Sequence, residues 1–252
     1  MMLALLGALK EEVVDLQKHM ILEEALAWQD CHIYKGKHEN SDILLVQTGI
    51  GKKRAEIATK FILERYPVTM LISLGFAGAL TKELKVADVI ICSTLHCADG
   101  FTGRRPKLGE AYSSDASLVS LVSQSLEGTG IRFGYGNSVT VAEAICTAEA
   151  KRTLGKAFCA DIVDMESYWI ARIAASRRIP FMAVRSISDI LQDSLPPFDQ
   201  MLTSNGKWQW KKMVPYFLFH PQHLTELFTL YWNTRQARKS LTTFVDCLLT
   251  GC

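Results

Sequence analysis

Three carboxylates stand at or just after the ends of apolar, strand-like segments: Glu12, Glu166 and Asp189. Cleavage of a glycosidic bond divides its labour among such groups. One acid protonates the leaving group, one base orients a nucleophile, and one grips sugar hydroxyls. The same side chains could instead cap helices or pair with neighbours, and spacing alone leaves both readings open. Two glycine-bearing turns accompany them, Gly49-Ile50-Gly51-Lys52 and Gly75-Phe76-Ala77-Gly78. Neither has the P-loop spacing or the full GxGxxG fingerprint. Glycine there lets backbone N–H groups approach a sugar, base or anion, or simply makes a tight strand-to-helix turn. The run Cys92-Ser93-Thr94-Leu95-His96-Cys97, followed by Asp99, offers donor atoms, but no second pair completes a tetrahedral set, so no metal is expected. No local motif marks a nucleophilic cysteine.

The elements that must position these groups follow from periodicity. Residues 2–8, 43–48, 69–74, 86–92, 161–164 and 180–187 are short apolar runs that read as buried strands, and 131–141 alternates as a strand does. Residues 52–65 carry Ala55, Ala58, Phe61 and Ile62 at helical spacing and stop before Pro67. Asp115 can cap a helix through about Leu126. Helices are also expected over 149–154 and 166–177. Strands alternating with helices imply an α/β fold of three layers, α/β/α, with a central mixed, largely parallel twisted sheet flanked by helices. In such sheets ligands lie outside the carboxyl ends of the strands. That rule selects 9–12, 48–51, 75–78, 165–166 and 185–189.

Composition narrows the class. The chain has 252 residues, 48% apolar and 21% charged, with a net charge of +2, which fits a globular protein and excludes long disorder. No apolar run is long enough to span a membrane. The apolar start runs at once into Lys10-Glu11-Glu12 and reads as a buried strand, not a signal peptide. Seven scattered cysteines suit reduced thiols in the cytoplasm. Near neutrality without a basic stripe argues against nucleic acid as a partner. Charge and aromatics concentrate after Pro196-Pro197: six Lys+Arg face three Asp+Glu, and 10 of the 23 aromatics lie there, among them Trp208, Trp210 and Trp232. The chain therefore divides into a catalytic-type domain, 1–195, and an aromatic, basic helical extension, 196–252. Such helices pack on the body or on another subunit, or make a peripheral contact with the inner face of a membrane.

Val163-Asp164-Met165-Glu166-Ser167, followed by Pro180-Phe181-Met182-Ala183-Val184-Arg185-Ser186-Ile187-Ser188-Asp189, resembles the signature half of the nucleoside phosphorylase-I family. That family includes purine nucleoside phosphorylases and methylthioadenosine/S-adenosylhomocysteine nucleosidases. Gly7-Ala8-Leu9-Lys10-Glu11-Glu12-Val13 resembles the nucleosidase start, and the two glycine turns fall in the family's order. The resemblance covers about 1–195. It implies cleavage of the N-ribosidic bond of a purine nucleoside with release of the base. Asp189 would be the general acid, holding a proton at working pH, with Ser188 orienting it. Glu12 would activate water, with Arg185 beside it. Glu166 would bind the ribose hydroxyls with Met165 against the sugar. Ile145 and Val163 would lie near the base, and Ile50, Gly75 and Phe76 would line the pocket. Phe76 stands where the nucleosidases carry a small polar residue. The Arg and Ser with which the phosphorylases hold phosphate are absent here, which favours hydrolysis over phosphorolysis. No cofactor is implied; phosphate is a co-substrate only in a phosphorylase. The partners implied are a small nucleoside and further copies of the chain. Val-Asp-Met-Glu-Ser with the aromatic-basic tail is most similar to the hopanoid-associated branch, whose substrate carries a lipid. The alternatives are phosphorolysis, or a nucleoside-binding module without turnover at a membrane.

Overall fold

The computed structural model describes residues 2–39, 41–98, 110–126, 132–195, 216 and 222–250. The apolar runs become strands β1 (Met2–Gly7), β4 (Ser41–Gln47), β5 (Val68–Ala79), β6 (Val89–Cys97), β8 (Phe133–Thr140), β9 (Ile162–Asp164) and β10 (Phe181–Asp189). A hairpin, β2 (Ile21–Trp28) and β3 (Cys31–His38), and a short β7 (Tyr112–Ser113) complete the sheet. The helices are α1 (Lys10–Val13), α2 (Lys52–Arg65), α3 (Ala116–Leu126), α4 (Ala148–Phe158), α5 (Ser167–Ser176) and α6 (Gln222–Thr250).

Alternation along each strand builds two cores. Met2, Ala4 and Leu6 of β1, Leu44 and Val46 of β4, and Phe181, Ala183 and Ile187 of β10 face α2 and α5. Leu3, Leu5, Ile43, Leu45, Met182 and Val184 face the other way, toward Val13, α3 and the end of α6. Both faces of the central strands are thus covered, which is why they read as unbroken apolar runs. The α/β class and the helix layers on both sides of a mixed sheet are as expected.

Two details of the expected fold need correction. The sheet is not largely parallel: among the described strands, five pairings are parallel and five antiparallel. Nor is it open. β5 pairs with β1 through its first half, with β10 along its length and with β9 at Gly78 and Ala79, so β5, β10, β6, β8 and β9 close a ring. Residues 75–78, expected to be a turn, lie inside β5. Glycine in a strand interior marks close approach of another group, and side chains do approach there.

The second half of α6 buries Ala237, Leu241, Phe244, Val245 and Leu248 on the core. Its first half turns Leu224, Phe228, Tyr231 and Trp232 outward. Trp208 and Trp210 lie outside the described residues. Among the described residues no helix is long and apolar enough to cross a membrane.

Candidate active site around strand β5

Glu12 reaches the sheet from α1, directly after β1. Its Oε2 accepts backbone N–H bonds from Ala8 (2.6 Å) and Leu9 (2.9 Å), and its Oε1 accepts one from Phe76 (3.0 Å). Burial pushes the Glu12 carboxyl up from its ordinary range, against the pull of these N–H groups and of Arg185. A methyl group on Gly75 would lie 2.8 Å from Glu12 Oε1 and 3.5 Å from Arg185 Cζ, so only glycine leaves room for both here.

Arg185 is 2% exposed and lies opposite Gly75 across the β5–β10 pair. It donates to the Ser73 carbonyl (2.9 Å) and the Ser73 hydroxyl (2.8 Å), and its Nε is 3.3 Å from Asp164 Oδ2. Asp164, at the end of β9, also accepts from Ser138, Thr140 and the backbone of Glu166 and Ser167. It thereby holds the turn that leads into α5, where Glu166 is the N-cap residue. Glu166 Oε1 accepts the Gly51 N–H at 2.6 Å, which brings the Ile50–Gly51 turn onto it. Burial raises the Glu166 carboxyl to about 8, helped by the nearby charges of Glu12 and Asp164. Glu12, Ser73, Gly75, Phe76, Glu166 and Arg185 line one cavity of about 10 Å³, room for roughly one water molecule.

Asp189 lies further along the same strand. A methyl group on Gly78 would be 2.8 Å from Asp189 Oδ2 and 3.2 Å from Val163 Cγ1, so Asp189 and Val163 meet at that glycine. Gly75 and Gly78 are roughly 10 Å apart at about 3.3 Å per residue, near the length of a nucleoside. Asp189 is 5% exposed, and its Oδ1 accepts the Ser188 hydroxyl at 2.8 Å. It borders a cavity of about 270 Å³ shared with Asp193 and with Glu226 of α6. Ile145 and Met165 pack with Val163 in a small third core beside α4.

The candidates thus fall into two groups beside β5. Glu12, Glu166, Arg185, Gly75, Phe76 and Ile50 gather near Gly75. Asp189, Ser188, Val163, Met165 and Ile145 gather near Gly78. Two residues escaped the sequence reading. Asp164 lies within the quoted Val-Asp-Met-Glu-Ser run but was given no role. Lys151 puts its Nζ 2.6 Å from Asp189 Oδ2. Its only sequence signal is a lysine on the face shared by Leu154 and Phe158. The two side chains are buried together, 0% and 7% exposed. In the Cys92–Cys97 run, burial pushes the Cys92 thiol up to about 12, far from a reactive thiolate.

Known proteins share this fold. The family model described as the phosphorylase superfamily matches residues 2–206. The 5'-methylthioadenosine/S-adenosylhomocysteine nucleosidase of Oceanobacillus iheyensis is 30% identical over 216 residues, 82% of this chain and 94% of that protein. The crystal structure of the Neisseria meningitidis 5'-methylthioadenosine/S-adenosylhomocysteine nucleosidase, in complex with methylthio-immucillin-A, matches with a TM-score of 0.78 at 22% identity, over 100% of this chain and 99% of that one. Futalosine hydrolase of Helicobacter pylori matches with a TM-score of 0.75 at 20% identity, over 97% of each chain. By the extent of these matches, the chain belongs to the phosphorylase superfamily.

Proposed function

We propose that this chain hydrolyses the N-ribosidic bond of an adenine nucleoside and releases the free base. The observation that carries the reading is the pair of carboxylate stations on β5: Glu12 against Gly75 and Asp189 against Gly78, with Glu166 beside the first. A nucleoside bound around this end of β5 has its ribose near Glu12 and Glu166 and its base near Asp189. The relatives support the substrate class, since they are named for adenine nucleosides that carry a thioether at the 5' carbon.

The roles follow from charge. As the bond from C1' to the base breaks, its electrons pass to the base, and the Asp189 carboxyl gives its proton to a ring nitrogen. The sugar becomes cation-like, and the Glu12 and Glu166 carboxylates stabilise it. Glu12 orients a water toward C1' and accepts its proton, which balances the one Asp189 has lost. Burial makes Glu12 a stronger base than a surface glutamate, and its three N–H partners aim it. Glu166 accepts hydrogen bonds from the ribose hydroxyls, and a developing positive charge favours its ionised form. Ser188 orients Asp189; Met165, Val163, Ile145, Ile50 and Phe76 supply the apolar walls.

The test is release of free adenine from 5'-methylthioadenosine and S-adenosylhomocysteine, followed by chromatography. Wild type releases adenine, and Asp189→Asn is slower by about 10²–10⁴-fold. Failure of the wild type to release adenine from any adenine nucleoside, or near-normal turnover by the variant, overturns the reading. The outward aromatic face at the start of α6 supports a further contact, with a membrane surface or another subunit.

A further inference from the structure

Lys151 takes no part in the steps above, yet its side chain is 0% exposed. An ammonium group has three N–H donors. Lys151 Nζ donates to the Ile190 carbonyl at 2.8 Å and the Asp193 carbonyl at 3.2 Å, and pairs by charge with Asp189 Oδ2 at 2.6 Å. Among the described residues, its carboxylate partner is Asp189. The rest of the surroundings is built to hold this geometry. Thr147 caps α4 by accepting the Ala150 N–H, which fixes the first turn that carries Lys151. Ile190 N–H donates to Asp193 Oδ2, and Asp193 N–H returns a bond to the Ile190 carbonyl, closing the loop around the ammonium. Leu195 N–H ties the end of that loop to the Cys146 carbonyl, next to Ile145.

A methionine or leucine would fill this space without the desolvation that a buried ammonium incurs. The charge therefore has an electrostatic use. Asp193 of the loop and Glu226 of α6 line the cavity that Asp189 borders, and Tyr216 lies near Glu226 and Cys146. The other charged side chains of α4, Glu149, Arg152 and Lys156, are exposed, and Arg185 of β10 is engaged with Ser73 and Asp164. Ser188 is the remaining polar neighbour of the Asp189 carboxyl.

We propose that Lys151 is the positioning residue for Asp189: it holds the loop after β10 in place and stabilises the carboxylate that remains once the proton has moved to the base. This inference rests on the hydrolase reading. The Asp189 O–H bond breaks, the proton goes to the ring nitrogen, and the electron pair stays on the Asp189 oxygen, 2.6 Å from Lys151 Nζ. The ammonium meets a neutral carboxyl before the transfer and an anion after it, so its help is largest where charge develops. Because this help is Coulombic, removing the ammonium should change the pH range over which the transfer works as well as its rate.

The experiment is the pH profile of kcat/KM for adenine release by wild type, Lys151→Met and Lys151→Arg. In Lys151→Met, kcat falls by roughly 10²-fold. The limb at which activity is lost with rising pH moves upward by about one pH unit or more. Lys151→Arg restores the wild-type limb. A Lys151→Met enzyme that is slower but loses activity at the wild-type pH shows mere structural support and overturns the proposal. Should Lys151→Met fail to fold, Lys151→Gln takes its place with the same two outcomes. Infrared difference spectra against Asp189→Asn read the Asp189 carboxyl without turnover. The protonated-carboxyl band must persist to higher pH when Lys151 loses its charge, and an unchanged band overturns the proposal. If wild type releases no adenine but the band moves, the hydrolase reading fails while the coupling of Lys151 to Asp189 stands.

Discussion

Gly78→Ala puts the arrangement at Asp189 under direct strain. The added methyl group would lie 2.8 Å from Asp189 Oδ2, 3.2 Å from Val163 Cγ1 and 3.4 Å from Asp189 Cγ. Ordinary van der Waals contact begins near 3.4 Å, so the carboxylate must retreat by about 0.6 Å or the strands must part. Retreat is opposed on both oxygens, by Ser188 at 2.8 Å and Lys151 at 2.6 Å. Parting is opposed because Gly78 is paired with β9 on one side and β10 on the other. Since a misplacement of about 1 Å can cost 10²-fold, half of that should lower kcat/KM about tenfold. Overpacking should cost about 1–3 kcal/mol of stability, and each kcal/mol lowers Tm by about 2–4 °C in a chain of this size. The assay is adenine release together with thermal melting. Gly134→Ala on β8 is the control, because a methyl group there would meet only Ile90 Cδ1, at 3.9 Å. Wild-type kcat/KM and Tm in Gly78→Ala would refute the reasoning, as would an equal loss in Gly134→Ala.

Two further perturbations test charge and surface. Glu166 is raised to about 8 from its ordinary 4.5, so between those values the folded chain keeps a proton that the unfolded chain has released. Stability therefore falls as pH rises through that window. Glu166→Gln should flatten this fall in urea melts at about pH 5 and about pH 8 while losing about 10²-fold in adenine release; an unchanged slope would contradict the burial of Glu166. Replacing Phe228 and Trp232, 63% and 45% exposed, by Ser should weaken flotation of the whole chain with anionic liposomes if that face meets lipid. Equal flotation of both proteins would remove the membrane contact, and a change in oligomeric state alone would assign the face to a second subunit.

The sequence revealed those parts of the fold where burial writes a pattern. β1, β4 and β10 are buried on both faces and appear as apolar runs, and α2 occupies the residues its periodicity marks. Asp115 does accept N–H bonds from Ser117 and Leu118, both at 3.0 Å, at the start of α3. The hairpin left no such trace. β2 reads Ile-Leu-Glu-Glu-Ala-Leu-Ala-Trp, a helix-favouring composition, and as an edge strand it is mostly exposed on both faces, so nothing alternates. Closure of the sheet was also hidden. It depends on β5 continuing through Gly75 and Gly78, and glycines in sequence suggest a turn. At the site, carboxylates at strand ends were legible because topology sends strand ends to ligands. Lys151 was not, because a lone lysine on a helix is nearly always at the surface, and only the fold shows that this one meets Asp189.

The same geometry decides between water and phosphate as the group that attacks the sugar. Phosphate at the Gly75 station would bring its negative charge beside Glu12 and Glu166. An ionised carboxylate at about 4 Å repels each unit of that charge by about 4 kcal/mol at an effective dielectric of about 20, and the raised Glu166 carboxyl shows that the station already disfavours negative charge. Arg185 is the cation at this cavity, and Asp164 already pairs with it at 3.3 Å. The cavity of about 10 Å³ at this station has room for roughly one water. Water, by contrast, gains from a buried carboxylate that is held by three N–H bonds and made more basic by burial. Turnover should therefore proceed at full rate in phosphate-free buffer, with free 5-substituted ribose as the second product. Acceleration by millimolar phosphate, with a ribose 1-phosphate among the products, would show that the Gly75 station accepts an anion after all and that Glu12 yields its place to it.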